Sequence, residues 1–428
     1  MLDWGMGYRR RILDDDLDEL MPHLAAIAIE GAKGVGKTAT ASVRAATIID
    51  LTDPGQRQVL AADLDVIAQA TPPVLIDEWQ LEPAVWDRAR RLVDQDPTGG
   101  RLLLTGSAGL TRGVRVHSGA GRIVRLVMRP MAFSERGLAA STVSLASLLQ
   151  GGGGQVAGSS SIGLAGYVDE ILRSGLPGIR DLPPRVRELQ LDGYLARVVD
   201  HDLQENGVLV RRPGALKAWL SAYAAATSTT ASAAVILDAA TPGEGDKPAR
   251  QTVAVYREHL ERLFILDPVP AWVPSLSPLK RLAGTPKHHL VDPALTARLV
   301  GVDREGLLKG EGGVLTPRDG TLLGALFESL VTQTVRVLAQ AARAEVGHLR
   351  TRNGDHEVDL IVEGPGRRVV AIEVKLSGVV TDADVRHLHW LKGIVGERIA
   401  DLAVITTGPT AYRRADGVAV IPLALLGP

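Results

Sequence analysis

Short apolar runs alternate with stretches of helical periodicity along the first third of the chain. Leu24–Ile29, Val74–Ile76 and Leu102–Leu104 are unbroken apolar runs of strand length. Runs without polar alternation belong to strands buried on both faces, so this segment is predicted to form a parallel sheet covered by helices. The run Gly151–Ser161, GGGGQVAGSSS, interrupts the pattern and reads as a loop or linker. From about 165 to 290 the periodicity is mostly helical. Arg250–Phe264 places Val253, Tyr256, Leu260, Leu263 and Phe264 on one stripe, and the Pro-rich segment Asp267–Pro278 ends it. The last part opens with an amphipathic helix near Leu322–Leu338. Strand-like runs follow at Glu345–Thr351, Glu357–Val362 and Val369–Val374, then a helix around Asp382–Leu391 and a strand at Leu402–Thr406. The predicted division is an α/β domain over 1–150, a linker over 151–164, a helical region over 165–290 and a second α/β domain over 291–428.

Composition narrows the chemistry. The chain has 428 residues, with 48 Lys+Arg against 49 Asp+Glu, so its net charge of −1 excludes a globally cationic nucleic-acid coat. Cysteine is absent, which removes disulfides, thiolate metal sites and thiol nucleophiles. The first residues, MLDWGMGYRRRILDDD, carry no apolar core of a signal peptide, and no run approaches the roughly 20 uninterrupted apolar residues of a bilayer span. A cytoplasmic location without membrane contact is the expectation.

Gly31-Ala32-Lys33-Gly34-Val35-Gly36-Lys37-Thr38 is a complete GxxxxGK[ST] loop behind an apolar run. Glycines at Gly31, Gly34 and Gly36 let the backbone curl, so that N–H groups around Val35 point at phosphate. Lys37 reaches the β- and γ-oxygens, and the Thr38 hydroxyl serves Mg²⁺. Val74-Leu75-Ile76-Asp77-Glu78 supplies the second half: Asp77 holds Mg²⁺ and Glu78 activates the attacking water. A third run ends in Thr105-Gly106-Ser107, where Thr105 or Ser107 is positioned to sense the γ-phosphate. Arg122, in a Gly-rich loop, is the candidate arginine finger.

The stretches AIEGAKGVGKT, IIDLTDPGQRQVL, PPVLIDEWQLEP, VDQDPTGGRLLLTGSA and SGAGRIVRLVMRPMAFSERG together resemble AAA+-type ATPases that carry the domain DUF4143. The likeness continues at Gly175-Leu176-Pro177, Asp202, Pro286-Lys287 and Asp292-Pro293. It implies an α/β architecture: a P-loop AAA+-type ATPase domain, a helical, winged-helix-like middle region, and a C-terminal α/β domain like PD-(D/E)xK nucleases. It further implies ATP and Mg²⁺ turned over by Lys37, Thr38, Asp77 and Glu78, Arg122 near the γ-phosphate in cis or in trans, and a homo-oligomer if a neighbour supplies that Arg. One departure is visible: His201 stands before Asp202, where relatives often carry Arg.

In the middle region, Ala222–Ala240, a turn at Pro242–Pro248 and Arg250–Phe264 resemble a winged-helix unit. Its recognition helix would offer Arg250, Gln251, Arg257 and Arg262, interrupted by Glu258 and Glu261. A lid or connector fits that mixed charge better than a DNA reader. His288 and His289, adjacent on a strand, point to opposite faces and so make a poor metal pair.

Near the C-terminus, Glu373 and Lys375 share a strand face. If their strand pairs with that of Asp359, the two acids can hold a second Mg²⁺ or Mn²⁺, with Lys375 polarising water and Glu328 adding a carboxylate. Two readings stay open. In one, an ATPase gates a metal-dependent nuclease-like domain on DNA. In the other, a nucleotide-dependent switch or scaffold carries a C-terminal fold that only binds DNA or protein, with Asp359, Glu373 and Lys375 engaged in ion pairs.

Overall fold

Apolar runs become strands where both their faces can be covered, and two sheets of the computed structural model are built on that rule. The structure describes residues 7–107, 119–151, 154–205, 208, 210, 212–241, 250–274, 284–309, 321–351 and 354–428. The chain divides into two units. One comprises Met1–Arg129, His201–Leu209 and Glu258–Ile265; the other comprises Pro130–Asp200, Val210–Arg257 and Leu266–Pro428.

The first unit holds five parallel strands, β1 (Ala26–Glu30), β2 (Thr47–Asp50), β3 (Val74–Asp77), β4 (Leu102–Gly106) and β5 (Ile123–Val127), in the order β2-β3-β4-β1-β5. The expected apolar runs form the three inner strands. Ala26 and Ile27 of β1 pair with Leu102 and Leu103 of β4 on one side, and with Ile123 and Val124 of β5 on the other. Helices Pro54–Ala62 and Ala84–Gln95 belong to the same unit. Its core includes Leu60, Ile76, Leu104 and the pair Trp79–Trp86, with ring centroids 4.5 Å apart. In such a sheet, ligands bind beyond the carboxyl ends of the strands.

The second unit carries β6 (Val143–Ser144), β7 (Gly158–Ser159), β8 (Glu345–Arg350), β9 (Glu357–Glu363), β10 (Val369–Lys375), β11 (Ile399–Thr406), β12 (Thr410–Arg413), β13 (Ala419–Pro422) and β14 (Leu426–Gly427). Seven of these form a mixed sheet ordered β7-β12-β13-β11-β10-β9-β8, while β14 pairs with β6. Helices Thr321–Ala341 and Asp382–Val395 pack on the sheet. The segment Leu322–Ala341 is long and apolar enough to cross a membrane by length and composition, which the search for uninterrupted runs missed. It is 72% buried inside the protein, as a core helix is.

Several expectations change here. The first α/β domain does not run to 150: Pro130 onward belongs to the second unit, because β6 pairs with β14 and Thr142 N–H donates to Leu425 O at 2.9 Å. The Gly/Ser run is not all linker, since Gly158–Ser159 extends the sheet as β7 against β12. Nor is there a boundary at 290. Fully buried Arg136 donates to Glu170 and to Gln333 at 3.0 Å each, Arg180 also reaches Glu170, and Asp292 accepts from Ser174 and Gly175, so 130–200 and 290–340 share one buried polar network. The middle region has helices Pro213–Ala225, Ala233–Ala240 and Arg250–Arg262. The expected turn at Pro242–Pro248 lies outside the described residues, as do the last four residues, 275–278, of the Pro-rich segment.

Candidate nucleotide site and a carboxylate cluster

The loop after β1 is shaped by close backbone approach. A Cβ at Gly31, where φ is +155°, would lie 2.1 Å from Met128 O, so only glycine fits. Gly36, at φ +105°, turns the chain into helix Lys37–Ser42. Arg11 braces the loop from outside, donating to Val35 O at 2.8 Å and Arg129 O at 2.9 Å. Val35 itself is buried.

Lys37 is 5% exposed, and its ammonium donates to Gly31 O and Ala32 O, each at 2.9 Å. Burial pushes its pKa down to about 8. Glu78 and Asp77 oppose the shift, and Lys33 adds to it. Asp77 ends β3 and accepts from Thr38 Oγ1 at 3.0 Å on both carboxylate oxygens and from Thr105 Oγ1. Burial raises its pKa while those two hydroxyls lower it. The next residue, Glu78, sits in the left-handed region at φ 52°, a conformation that a non-glycine holds only where its surroundings impose it. Gln80 Nε2 and Ser107 Oγ both donate to Glu78 Oε2, the latter at 3.2 Å.

Lys37, Thr38, Asp77, Glu78, Thr105 and Ser107 therefore converge, but Thr105 and Ser107 take another role than the expected phosphate sensors. Thr105 is fully buried and orients Asp77; Ser107 orients Glu78. Arg122 is not among them. It precedes Ile123, which pairs with Ala26 at the amino end of β1, opposite the loop, and its guanidinium donates to Asp94 at 2.8 Å. A finger role within the same chain is thereby corrected. Sequence reasoning missed Arg11 and Gln80. It also missed the partner of Asp202, which is 4% exposed and accepts from the P-loop's Lys33 at 2.6 Å. Asp202 closes a π-turn, Val198–Asp202.

In the second unit, β10 and β9 pair antiparallel with Ile372 opposite Leu360, and the next step of that register sets Glu373 opposite Asp359. The expected strand pairing thus places the two acids side by side, and Lys375 Nζ reaches Glu373 Oε2 at 3.3 Å. A residue not foreseen for this cluster enters it. Lys287, 1% exposed, directs its ammonium to Glu328 Oε1 at 2.9 Å, Asp359 Oδ1 at 3.1 Å and Glu357 Oε1 at 3.5 Å. The other Asp359 oxygen accepts from Val374 N–H at 2.9 Å. Burial acts against the Lys287 charge, but Asp359, Glu328 and Glu357 together hold its pKa above the ordinary range. Burial, then Asp359, push Glu328 up to about 8, and the same two causes raise Glu373. Among the described residues, no group of three or more His, Asp or Glu is arranged to hold a metal ion. Where a second Mg²⁺ or Mn²⁺ was expected, the Lys287 ammonium lies between Glu328 and Asp359, and Glu373 is reached by Lys375 instead. The two histidines beside it diverge: His288 stacks edge-on to Tyr223 at 4.9 Å, and His289 is buried.

Comparison with known proteins matches three stretches of the chain to family models. Residues 24–137 match the model of an AAA domain, 165–306 that of a domain of unknown function, DUF8612, and 323–426 that of another, DUF4143. The uncharacterized proteins Rv2008c of Mycobacterium tuberculosis and Mb2031c of Mycobacterium bovis are each 24% identical over 407 residues, covering 92% of this chain and 79% of theirs. Among solved structures, the Walker-type ATPase PABY2304 of Pyrococcus abyssi is 11% identical with a TM-score of 0.32, over 67% of this chain and 94% of that one. Protein VC1899 of Vibrio cholerae is 13% identical with a TM-score of 0.19, over 93% and 94%. The stretch that resembles an AAA domain thus includes the P-loop and the acids ending β3, and the stretch that resembles DUF4143 includes Glu328, Asp359 and Glu373.

Proposed function

We propose that the AAA domain binds and hydrolyses ATP with Mg²⁺, and that the chain works as a nucleotide-dependent switch. The observation that carries this is Lys37. A buried ammonium held by the carbonyls of its own loop, its pKa depressed by burial, suits a phosphate anion. The facing Thr38 hydroxyl and Asp77 carboxylate form an all-oxygen donor set suited to a hard cation. Bound there, Mg²⁺ would neutralise charge on the β- and γ-oxygens. Lys37 exchanges carbonyl oxygens for phosphate oxygens, and Thr105 keeps Asp77 oriented. Glu78, steered by Gln80 and Ser107, accepts the proton of the attacking water at a carboxylate oxygen.

The switch reading is favoured over a coupled nuclease by Lys287, whose ammonium lies against both Asp359 and Glu328 where a metal would need those carboxylates. Lys33 and Asp202 supply a route for nucleotide state: triphosphate near Lys33 competes with Asp202, at the end of the π-turn, for the ammonium. Arg122, tied to Asp94 beside edge strand β5, serves as a finger only toward a neighbouring copy.

Titration with a fluorescent ATP analogue and a phosphate-release assay test the proposal. Lys37→Ala should weaken nucleotide binding by about 100-fold or more, and Glu78→Gln should bind like wild type but turn over roughly 10²–10³-fold more slowly. Wild-type protein that binds no nucleotide, or Lys37→Ala that binds as tightly, would overturn it.

A further inference from the structure

Carboxylates from three parts of the second unit face one point: Glu328 from helix Thr321–Ala341, and Glu357 and Asp359 from β9, with Glu373 across the ladder on β10. Acids gathered in that way repel one another unless some keep their protons or a cation lies between them. A divalent metal is the usual answer where an aspartate and a Glu-x-Lys pair meet. This chain answers differently. The Lys287 ammonium lies within 2.9–3.5 Å of three of the four acids, at 1% exposure.

The backbone that delivers it is fixed. Lys287 N–H and C=O both bond Val269 at 2.9 Å, the preceding Thr285 carbonyl meets His348 Nε2 at 3.0 Å, and the following His288 carbonyl accepts from Ser228 N–H at 2.8 Å. The donor set does not fit a metal while that ammonium is present, because an ion within 2–2.6 Å of Glu328 and Asp359 would fall on Nζ.

We infer that Lys287 is a built-in counter-ion that replaces a metal in the DUF4143 domain, making its Asp359–Glu373–Lys375 constellation a metal-free ion-pair cluster that staples the Thr285–Leu290 segment to helix Thr321–Ala341 and to β9. The domain is then a binding module held together by lysine, and its carboxylates are unavailable for metal-assisted hydrolysis. This stands independently of ATP chemistry in the first unit.

The test counts Mn²⁺ by the loss of its free electron-spin-resonance signal, in the full-length chain without nucleotide. Every sample carries Asp77→Asn, which silences the carboxylate of the other site. The parent should take up less than about 0.1 ion per chain at roughly 0.1 mM Mn²⁺, whereas adding Lys287→Met should raise this to about one, lost again on Asp359→Asn. One ion on the parent that disappears with Asp359→Asn overturns the inference, as does folded Lys287→Met that binds no more than the parent. If Lys287→Met unfolds, its rescue by Mn²⁺ supports the inference. Without rescue, Lys287→Met/Glu328→Gln decides, since it removes the ammonium together with the carboxyl group nearest to it. The double variant should fold without metal, and its failure to do so also overturns the inference.

Discussion

Two buried lysines, one in each unit, have opposite electrostatic situations. Lys37 has carbonyl oxygens around its ammonium and a pKa lowered to about 8; Lys287 has three carboxylates and a pKa above its ordinary value. Both have left water to a similar degree, 5% and 1% exposed. Desolvation is therefore common to them and partner charge is the difference. A buried cation short of anions marks a site that completes itself with a ligand, and one already surrounded by them marks structure. The same residue type, equally hidden, is read as function in the first unit and as framework in the second.

The comparison breaks most directly by deleting each ammonium. Lys287→Ala leaves Asp359 without its cation in a buried cluster, and removing one partner of such a pair typically costs about 3–5 kcal/mol. Urea unfolding followed by hydrogen exchange in β9 and β10 should report a loss of that size. Lys37→Ala removes a charge that the ligand-free fold only partly compensates, so exchange in β1 and β4 should shift by less than about 1 kcal/mol in either direction. Equal losses for the two variants would erase the distinction.

A smaller effect sharpens the first half of it. Thr105 is buried and donates to Asp77, so Thr105→Val keeps shape but frees one carboxylate oxygen from its orienting hydroxyl. Losing a hydrogen bond to a charged group costs about 1.5–3 kcal/mol, which predicts ATP turnover lowered roughly tenfold or more with nucleotide affinity changed less. Were Thr105 a direct phosphate contact, affinity and turnover would fall together.

What the sequence disclosed and what it hid follow the same physics. The P-loop and the acids ending β3 are contiguous, and each chemical role is written in neighbouring residues, so Lys37, Thr38, Asp77 and Glu78 were legible. Inner strands β1, β3 and β4 announce themselves as apolar runs. Edge strands β2 and β5 do not: Ile48, Val124 and Arg125 are exposed, so their segments lack the unbroken pattern. Position relative to the sheet was also hidden. Arg122 follows a Gly-rich loop as a finger would, and only the Ile123–Ala26 register shows that it lies at the wrong end. Lys287 comes 41 residues before Glu328 and 72 before Asp359, and nothing local distinguishes it from a surface lysine. Short strands β12 to β14, interrupted by Gly and Pro, gave too little periodicity to be seen ahead of the structure.

The weakest effect, and the one that separates the two environments without mutation, is pH. Lys37 titrates at about 8 in the ligand-free fold and at 10.5 ordinarily, so the unfolded chain binds more protons between those values. Its contribution to stability is present above about 10.5 and lost as pH falls through about 8, so the first unit should gain stability between pH 8 and 10. Glu328 titrates at about 8 against 4.5 ordinarily, with Lys287, Asp359 and Glu357 facing it. There the folded state binds the extra proton, so stability is full below about 4.5 and lost as pH rises through about 8. The second unit should weaken across that window, by at most about 1.4 kcal/mol per pH unit from this group. Hydrogen exchange in β1 and β9, followed from pH 5 to 10 with the intrinsic rates divided out, reads the two slopes separately. Saturating ATP gives Lys37 an anion and should flatten the rise in β1 while leaving β9 unchanged. Parallel slopes in the two units, or a rise in β1 that ATP does not touch, would mean that their lysines share one environment after all.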